Sequence, residues 1–453
     1  MSILRGILDG GKMEPFYQDN HNTIYCLDFR KNELPDNSIQ CVVTSPPYWG
    51  LRKYSGEQEL IWGDNHCKHD WHTREWLMHN GRGDAQKSGK YSTQEAIPDM
   101  PHSDNTCSLC GAWKGAYGLE PTPELYVQHT IEILREIRRV LRKDGVVFWN
   151  IGDSYFTKPK SNYGGKAAGL QSKNYGTGET ELGYRQSGGK FKSLMQQGYK
   201  NKDLCLIPFR VALAAQSDGW WVRSVIIWNK PNPMPESVKD RPTESHEYIL
   251  MLTKSAKYYW DADAVREAQT GNAHSRGTEA NVEGYYEARG SYKGFRTPNV
   301  ELPAGRNIRT VWEFPTQPYP EAHFAVFPEK LPETCIKAAT PEVGCCSKCG
   351  SPWERMIERT GHINKREPAH APKSNPTKTD STGWAPLTTA TDKWQPTCKC
   401  NADKVPSIVL DPFLGAGTTL LVAKKLNRYG GGYELSEEYC RLATERMKQQ
   451  VLL

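Results

Sequence analysis

Apolar and polar positions alternate along this chain in patterns that indicate strands and helices in turn. The short apolar run at residues 39–44 is followed by two prolines, which predicts a buried strand that ends in a rigid loop. Apolar residues then recur three or four positions apart from Val127 to Leu141, which predicts an amphipathic helix that ends at Gly145. Residues 146–151 have the pattern of the next strand. A helix followed closely by an apolar strand suggests a parallel α/β sheet.

The later part of the chain repeats this alternation. The pattern predicts a helix at 207–217, strands at 221–228 and 247–253, a strand at 407–411, a helix at 417–427, a strand at 429–435 and a helix at 436–450. Other stretches lack a sustained period and are interpreted as insertions. The predicted segments are core parts at 15–61, 116–260, 311–340 and 407–453, Cys-rich insertions at 62–115 and 341–406, and an irregular polar region at 261–310.

Composition narrows the class of protein. A length of 453 residues suggests two or three domains, or one domain with large insertions. Charged residues make up 24%, so wholesale disorder is excluded. With a mean hydropathy of −0.69, no membrane span is expected. The first residues lack the apolar core of a secretory signal, so the expected location is the cytoplasm. A net charge of +6 permits a nucleic-acid partner without requiring one.

The cysteines fall into two clusters of close pairs. Thirteen cysteines without a secretory signal favour thiolate–metal chemistry over a disulfide framework. The first cluster is Cys67, His69, Cys107 and Cys110, and the second cluster is Cys346, Cys349, Cys398 and Cys400. Each is predicted to hold one structural zinc ion that ties down an insertion. His66 and Cys345 are rival ligands, and reduced thiols in a loop are the alternative. The remaining cysteines, Cys26, Cys41, Cys205, Cys335 and Cys440, are expected in the core.

A glycine-rich turn stands between a predicted strand and a predicted helix near the end of the chain. Its residues are Asp411, Pro412, Phe413, Gly415, Gly417, Thr418 and Thr419. Glycines let the backbone approach a ligand, and the helix N-terminus offers free N–H groups. The spacing fits neither the GxGxxG fingerprint nor a phosphate loop, and Asp411 suits a cationic or hydroxylic ligand. Glu434, at the end of the next strand, is positioned to accept bonds from ribose hydroxyls. An ordinary tight turn is the alternative.

The loop after the first strand combines a hydroxyl, a fixed backbone and aromatic side chains. Its residues are Thr44, Ser45, Pro46, Pro47 and Tyr48. Proline cannot donate a hydrogen bond, so the carbonyls of Ser45 and Pro46 are candidate acceptors for an exocyclic base amine. Tyr48 could stack on a base that is flipped out of a duplex. A proline-rich loop that merely ends a strand is the alternative.

Together, the SPPYW loop and the DPFxGxGTT turn resemble the S-adenosylmethionine-dependent DNA amino-methyltransferases. The order, with the catalytic loop first and the cofactor turn last, resembles the β group of that family. Residues 150–153, 228–231, 245–247 and 323–331 are similar to further core segments. The resemblance covers roughly half to two-thirds of the chain, and the paired motifs make it specific.

The resemblance implies a Rossmann-like methyltransferase fold: an α/β, doubly wound, mostly parallel sheet with a permuted strand order. Segment 15–61 would carry the catalytic loop, 261–310 would recognise the target, 311–340 would lie beside the cofactor and 407–453 would bind it. The implied cofactor site comprises Thr44, Asp411, Pro412, Phe413, Gly415, Gly417, Thr418 and Thr419, with Glu434 at the ribose and Asp28 near the adenine. Ser45, Pro46, Pro47 and Tyr48 would form the catalytic loop that holds the target amine.

The implied reaction is methylation of a base in double-stranded DNA by base flipping and direct transfer. Ser45 at the first loop position favours cytosine N4, with adenine N6 as the alternative. C5 methylation is disfavoured because no cysteine follows a proline. A zinc-containing nucleic-acid-binding protein without activity is a further alternative, and a protein amide methyltransferase is disfavoured by Ser45 and by the motif order. The family also implies a bacterial or phage-encoded protein and allows a homodimer. The basic stretch at 157–202 is interpreted either as a solvated loop or as a strand-binding loop.

Overall fold

The computed structural model describes most of the core segments and part of each insertion. The described residues are 13–50, 58–64, 66–71, 105–156, 198–267, 306–317, 326–359 and 388–448. Most of the basic stretch, 157–197, and most of the predicted target-recognition region, 268–305, lie outside the described residues.

Short strands and a smaller number of helices alternate along the described chain. The strands are β1 (Tyr17–Gln18), β2 (Asn22–Cys26), β3 (Ile39–Thr44), β4 (Leu60–Trp62), β5 (Trp113–Gly115), β6 (Leu141–Ile151), β7 (Tyr155–Phe156), β8 (Asp203–Leu204), β9 (Trp221–Asn229), β10 (His246–Thr253), β11 (Val311–Glu313), β12 (Cys345–Cys346), β13 (Trp353–Arg359), β14 (Thr388–Pro396), β15 (Lys404–Val405), β16 (Ile408–Asp411) and β17 (Tyr429–Glu434). The α-helices are α1 (Pro123–Val140), α2 (Ile207–Ser217), α3 (Lys330–Ala339), α4 (Thr418–Lys425) and α5 (Glu437–Lys448).

A nine-stranded sheet forms the centre of the molecule, in the order β1-β2-β17-β16-β3-β6-β10-β9-β11. Strands β2, β17, β16, β3 and β6 pair in parallel, whereas β10 runs antiparallel to both β6 and β9. The first and last parts of the chain therefore pair side by side at the centre of the sheet. This confirms the expected doubly wound, mostly parallel sheet with a permuted order.

Helices cover both faces of the sheet. Successive residues of a central strand point to opposite faces and therefore pack against different helices. Val42 of β3 packs in a core that includes α1 and α2. Its neighbours Cys41 and Val43 pack in a second core that includes α3 and α4. Strands buried on both faces explain why their sequences are continuously apolar. None of the helices in the described part of the chain combines the length and apolar character needed to cross a bilayer.

The amphipathic helix predicted from Val127 onward is α1, but its predicted end at Gly145 was wrong. The helix starts with the Thr122 side chain accepting a hydrogen bond from the Leu125 amide at 3.1 Å. It ends at Val140, and Leu141 already has an extended backbone that pairs with Ile39. The apolar period continued through Leu141 because the first residue of β6 is as buried as the helix face that precedes it.

Parallel pairing brings the carboxyl ends of β2, β17, β16, β3 and β6 to one edge of the sheet. Because β10 is antiparallel, its first residues lie at the same edge. We call this the catalytic edge, and the edge formed by the amino ends of the parallel strands the opposite edge. Polar residues that end or follow these strands are therefore neighbours in space, although they are far apart in sequence.

Candidate active site

The two motifs singled out in the sequence meet at the catalytic edge. Thr44, the last residue of β3, donates a hydrogen bond from its hydroxyl to the Asp411 carboxylate at 2.6 Å. The two residues are 367 positions apart. The contact exists because β3 and β16 are parallel neighbours. A loop near the start of the chain and a turn near its end thus form one site.

Asp411 is the buried anchor of the glycine-rich turn. Only 1% of the residue is exposed, and its carboxylate accepts bonds from Thr44 and from the amide of Phe413. Burial raises the pKa of the Asp411 carboxyl to about 6, against the opposing effect of these bonds. A cation bound at this carboxylate would favour its ionised form.

The turn presents open space next to a carboxylate. Gly415 has φ +51°, and a Cβ placed there would meet no atom within 4 Å. Its amide donates to the Glu434 carboxylate at 2.9 Å, and the Ser436 amide donates to the other Glu434 oxygen at 2.9 Å. Burial raises the pKa of the Glu434 carboxyl. Each Glu434 oxygen keeps acceptor capacity for a ligand hydroxyl, as a ribose would offer.

The other residues of the predicted cofactor site differ in exposure. Phe413 is partly exposed and stacks on Tyr117 with 5.5 Å between ring centroids, whereas Pro412 is buried. The threonines of the turn are buried. Thr418 accepts from Arg446 at 2.9 Å, and Thr419 donates to the carbonyl of Val43 at 3.2 Å. Gly417 has φ +79° and lies against Ala443.

Asp28, predicted near the adenine, follows the carboxyl end of β2. Glu434 pairs with Cys26 across β17 and β2, so Asp28 lies at the catalytic edge close to the end of β17. Its carboxylate already receives several hydrogen bonds from the Arg30 guanidinium, the shortest at 2.8 Å. The Arg30 guanidinium also lies over the ring of Trp62 at 3.7 Å from its centroid.

A hydrogen-bond network fixes the catalytic loop. The Tyr48 hydroxyl donates to the Glu247 carboxylate at 2.6 Å and lies 3.2 Å from the Ser45 hydroxyl. The Asn150 amide nitrogen donates to Tyr48 at 2.8 Å, to Glu247 at 2.8 Å and to Ser45 at 3.3 Å. Lys230 donates to the second Glu247 oxygen and pairs with its charge. These residues, which we call the loop network, come from β3, β6, β9 and β10 or the segments that directly follow them.

Close packing sets the position of the loop. The Tyr126 hydroxyl of α1 donates to the carbonyl of Pro47 at 3.0 Å, and Pro46 is buried. A Cβ at Gly152 would lie 2.7 Å from the Tyr48 ring. The ring therefore rests directly on the backbone after β6. Ser45 and Tyr48 remain partly exposed at the catalytic edge.

Asn150, Glu247 and Lys230 were not among the predicted site residues. A signal was present, since each is a polar residue at the catalytic end of an otherwise apolar strand or directly after it. The carbonyl oxygen of the Asn150 side chain is buried and has no hydrogen-bond partner in the described part of the chain. Such an atom is available to accept a hydrogen bond from a bound ligand.

The candidate ligands of the first cluster lie together in space. The candidate ligand atoms of Cys67, His69, Cys107 and Cys110 all lie within 4.8 Å of one another. The Cys67 and Cys107 sulfurs are 4.0 Å apart, and the Cys110 sulfur is 3.5 Å from Nδ1 of His69. A tetrahedral zinc ion with bonds of about 2.3 Å to sulfur requires ligand separations of about 3.8 Å. The donor set and the spacing fit zinc.

The second cluster is assembled in the same way. The sulfurs of Cys346, Cys349, Cys398 and Cys400 lie within 4.8 Å of one another. In both clusters a glycine with positive φ follows a CxxC pair: Gly111 at +74° follows Cys110, and Gly350 at +68° follows Cys349. The Gly111 amide donates to the Cys107 carbonyl at 2.9 Å, and the Gly350 amide donates to the Cys346 carbonyl at 2.8 Å. The sequence CSxCG, which occurs at residues 107–111 and again at 346–350, therefore forms the same turn twice.

The other cysteine predictions had mixed outcomes. The rival ligands His66 and Cys345 do not join either group, and the Cys345 sulfur lies 3.5 Å from the carbonyl of Val405. Four of the five cysteines expected in the core are buried, but Cys26 is exposed, so that prediction was wrong. Cys26 is the last residue of a strand near the sheet border, where its side chain faces outward.

The predicted target-recognition region is described only at its borders. There, Glu267 pairs with both Arg306 and Arg309, at 2.9 Å and 2.8 Å. These arginines are thus partly neutralised from within the chain.

Comparison with known proteins places this architecture in a family context. A family profile described as DNA methylase matches residues 39–346 and 401–445. The chain is 30% identical over 415 residues to the type II methyltransferase M.Cfr9I of Citrobacter freundii, covering 92% of this chain and 83% of that protein. It is 29% identical to the type II methyltransferase M.SmaI of Serratia marcescens, covering 91% of this chain and 86% of the relative. Among solved structures, the PvuII DNA methyltransferase (cytosine-N4-specific) aligns with a TM-score of 0.45 and 13% identity over 97% of this chain and 90% of that one.

Proposed function

This chain belongs to the N6/N4 DNA methylase family, and from that premise we propose that it methylates the exocyclic N4 of cytosine in double-stranded DNA. The methyl donor in this proposal is S-adenosylmethionine. Adenine N6 remains the second candidate. The base is flipped out of the duplex and the methyl group is transferred directly, without a covalent enzyme intermediate.

One observation carries the proposal: the Thr44–Asp411 hydrogen bond joins the catalytic loop to the glycine-rich turn within a single site. A methyl donor and an acceptor amine must be held a few ångströms apart and in line. Donor and acceptor residues on separate edges of the sheet could not meet that requirement.

The residues of the turn fit the methyl donor. Gly415 leaves open space at the catalytic edge, Glu434 offers acceptors for the ribose hydroxyls, and Asp411 offers a negative charge near the methionine part. When bound, S-adenosylmethionine supplies an electrophilic methyl group on a positively charged sulfur. Asp28 is proposed to stay near the adenine while it is held by Arg30.

The residues of the catalytic loop fit the acceptor. The Ser45 hydroxyl and the carbonyls of the loop would accept the two amine hydrogens, which leaves the nitrogen lone pair free to attack. The unpartnered carbonyl oxygen of Asn150 would add another acceptor. Tyr48 would stack on the flipped base. As the nitrogen–carbon bond forms and the carbon–sulfur bond breaks, the excess amine proton leaves through these acceptors to solvent.

The preference for cytosine rests on Ser45, because family members with serine at this loop position favour N4 of cytosine. Here the hydroxyl belongs to a network that also contains the Glu247 carboxylate. The Glu247 carboxylate therefore places a strong hydrogen-bond acceptor close to the loop, although the first loop position is a serine and not an acidic residue.

We also propose that both cysteine clusters bind zinc in a structural role, since the methyl transfer needs no Lewis acid. The four-sulfur set of the second cluster and the three-sulfur, one-imidazole set of the first are typical of closed structural zinc sites. Each would tie together the two ends of a long insertion between core segments.

Base-resolution mapping of DNA incubated with the protein and the methyl donor tests the proposal, together with mass spectrometry of the digested nucleosides. N4-methylcytosine at one recurrent sequence is the expected product. N6-methyladenine instead would select the alternative base. Transfer of label to protein or RNA but not to DNA, or no transfer at all from folded and zinc-loaded protein, would refute the function.

A further inference from the structure

The first cysteine cluster is tied to strand β5, which leads into a segment that contacts the catalytic loop, whereas the contacts of the second cluster lie at the opposite edge. We propose that zinc in the first cluster positions the catalytic loop, so that its loss slows methyl transfer rather than only lowering stability. The expected slowing of methyl transfer rests on the proposed function. The expected effect on the position of the catalytic loop does not.

The turn of the first cluster is fastened to strand β5. The amide of Cys107 donates to the carbonyl of Ala112 at 2.7 Å, and Thr106 forms a β-bridge with Trp113. The amide of Lys114 donates to the carbonyl of Asn105 at 2.9 Å. Both flanks of the Cys107–Cys110 turn are therefore tied to β5. A pair of three-residue strands such as β4 and β5 is too small to be stable without support.

Strands β4 and β5 pack against a buried pair formed by His129 and Glu120. Trp62 of β4 and Trp113 of β5 stack on the ring of His129, with centroids 4.4 Å and 5.5 Å away. The His129 ring nitrogen lies 3.0 Å from the Glu120 carboxylate, and the two side chains are 2% and 0% exposed. Through His129, Glu120 therefore connects the aromatic rings of β4 and β5 to the chain that follows β5.

Glu120 also connects this segment to the catalytic loop and the residues that follow it. Its carboxylate accepts from the Gly118 amide at 2.9 Å, and its backbone carbonyl accepts from the Trp49 indole at 3.1 Å. The carbonyl of Gly118 accepts from the Gly50 amide at 2.8 Å. A Cβ at Gly118 would lie 3.1 Å from both Pro47 and the Tyr48 carbonyl. Any shift of this segment therefore reaches the loop directly.

The same segment also contacts the cofactor turn. Tyr117 stacks on Phe413 and on Tyr126, at 5.5 Å and 4.9 Å between centroids. Tyr126 in turn donates to the carbonyl of Pro47. Residues 113–120, which we call the platform, therefore contact both the catalytic loop and the cofactor turn. The Cys107–Cys110 turn of the first cluster lies directly before the platform in the chain.

Among the described residues, the contacts of the second cluster lead away from the site. The Cys349 carbonyl accepts from Arg142, and the carbonyl of Gly350 accepts from Gln40 at 3.4 Å. The Gln40 side chain also accepts from the amide of Ile408 at 2.7 Å. These contacts lie at the amino ends of β6, β3 and β16. The length of β3 separates them from the catalytic loop by roughly 16 Å.

The matched variants Cys110→Ser and Cys400→Ser test this difference. For each, zinc content, thermal unfolding, single-turnover methyl transfer and hydrogen exchange of the Gly50 and Gly118 amides are measured in the full chain. Cys110→Ser is expected to lose one zinc ion, to slow the transfer at least about tenfold and to speed exchange of both amides by a similar factor. Cys400→Ser is expected to lose the other zinc ion and to unfold at a lower temperature, with rate and amide exchange within about twofold of the parent.

Cys110→His is the conservative rescue, because imidazole is also a zinc ligand. It should retain zinc and most of the rate. If Cys110→Ser does not fold, Cys67→Ser serves in its place. Retention of full zinc by both serine variants overturns the site, and zinc loss with unchanged Gly50 and Gly118 exchange overturns the positioning role. Equal slowing by Cys400→Ser also overturns it. Amide exchange is read without turnover, so a failure of the proposed function is recognised separately, by an inactive parent protein.

Discussion

The cofactor turn and the catalytic loop meet at one edge of the sheet, yet they are held by different kinds of interaction. The turn from Asp411 to Gly417 lies between a strand and a helix that are adjacent in sequence, and backbone amides supply several of its bonds. The catalytic loop is held by the side chains of Asn150 and Glu247, which come from distant segments, and Lys230 pairs with Glu247. We therefore expect the turn to tolerate distant substitutions better than the loop does.

Tyr48→Ala should have the largest effect, because it removes both the stacking surface for the base and the centre of the loop network. We expect single-turnover methyl transfer to fall about 100-fold. Binding of the methyl donor should stay within about threefold of the parent, since the cofactor turn does not use this side chain. Rapid-quench kinetics and calorimetry measure the two quantities. A parallel loss of donor binding would show that the two regions are not separable.

Glu247→Gln tests the loop network at its charged member. The change removes the ion pair with Lys230 and weakens the acceptor for the Tyr48 hydroxyl, so we expect the transfer rate to fall by about thirtyfold. Glu236→Gln, which loses a similarly exposed ion pair with Arg241, is the matched control and should keep the parental rate. If both variants are equally active, the network does not position the loop.

Asp411 should make donor binding depend on pH. Because its pKa is raised to about 6, the proton binds more tightly in the folded protein than in the unfolded chain. The stabilising effect of that proton is complete below the ordinary pKa of an aspartate, about 3.8, and is lost as the pH rises through about 6. A cationic ligand prefers the ionised form, so its affinity should change in the opposite direction and weaken about tenfold from pH 7 to pH 5. Calorimetry in buffers of different ionisation enthalpy should detect proton release on binding, and Asp411→Asn should abolish the pH step.

Gly152→Ala should have the smallest effect of the set. The added methyl group would press on the Tyr48 ring, whose hydroxyl is held by Glu247 and Asn150, so the ring cannot swing away freely. We expect a fall of roughly fivefold in the transfer rate with little change in donor affinity. In a Tyr48→Ala background the same substitution should cost nothing further, because the ring is gone. An undiminished loss in that background would place the effect elsewhere.

The closeness of Asp411, Gly415 and Glu434 could be predicted, since one strand–turn–helix–strand unit sets them at fixed distances. The grouping of the candidate zinc ligands could also be predicted, because the close pairs are visible in the sequence. The ends of elements were less accessible. Leu141 continued the helical apolar period although it begins a strand, because burial and not backbone conformation sets that pattern.

The sequence by itself determined the alternation of strands and helices, the two motifs and the close pairs of candidate zinc ligands, because each depends on residues close together in the chain. Only the tertiary structure decided that Asn150 and Glu247 contact Tyr48, and that the contacts of the two otherwise similar clusters lead to different edges of the sheet. The order of strands in the sheet governs both outcomes. That order arises from long-range pairing, which local residue patterns do not encode.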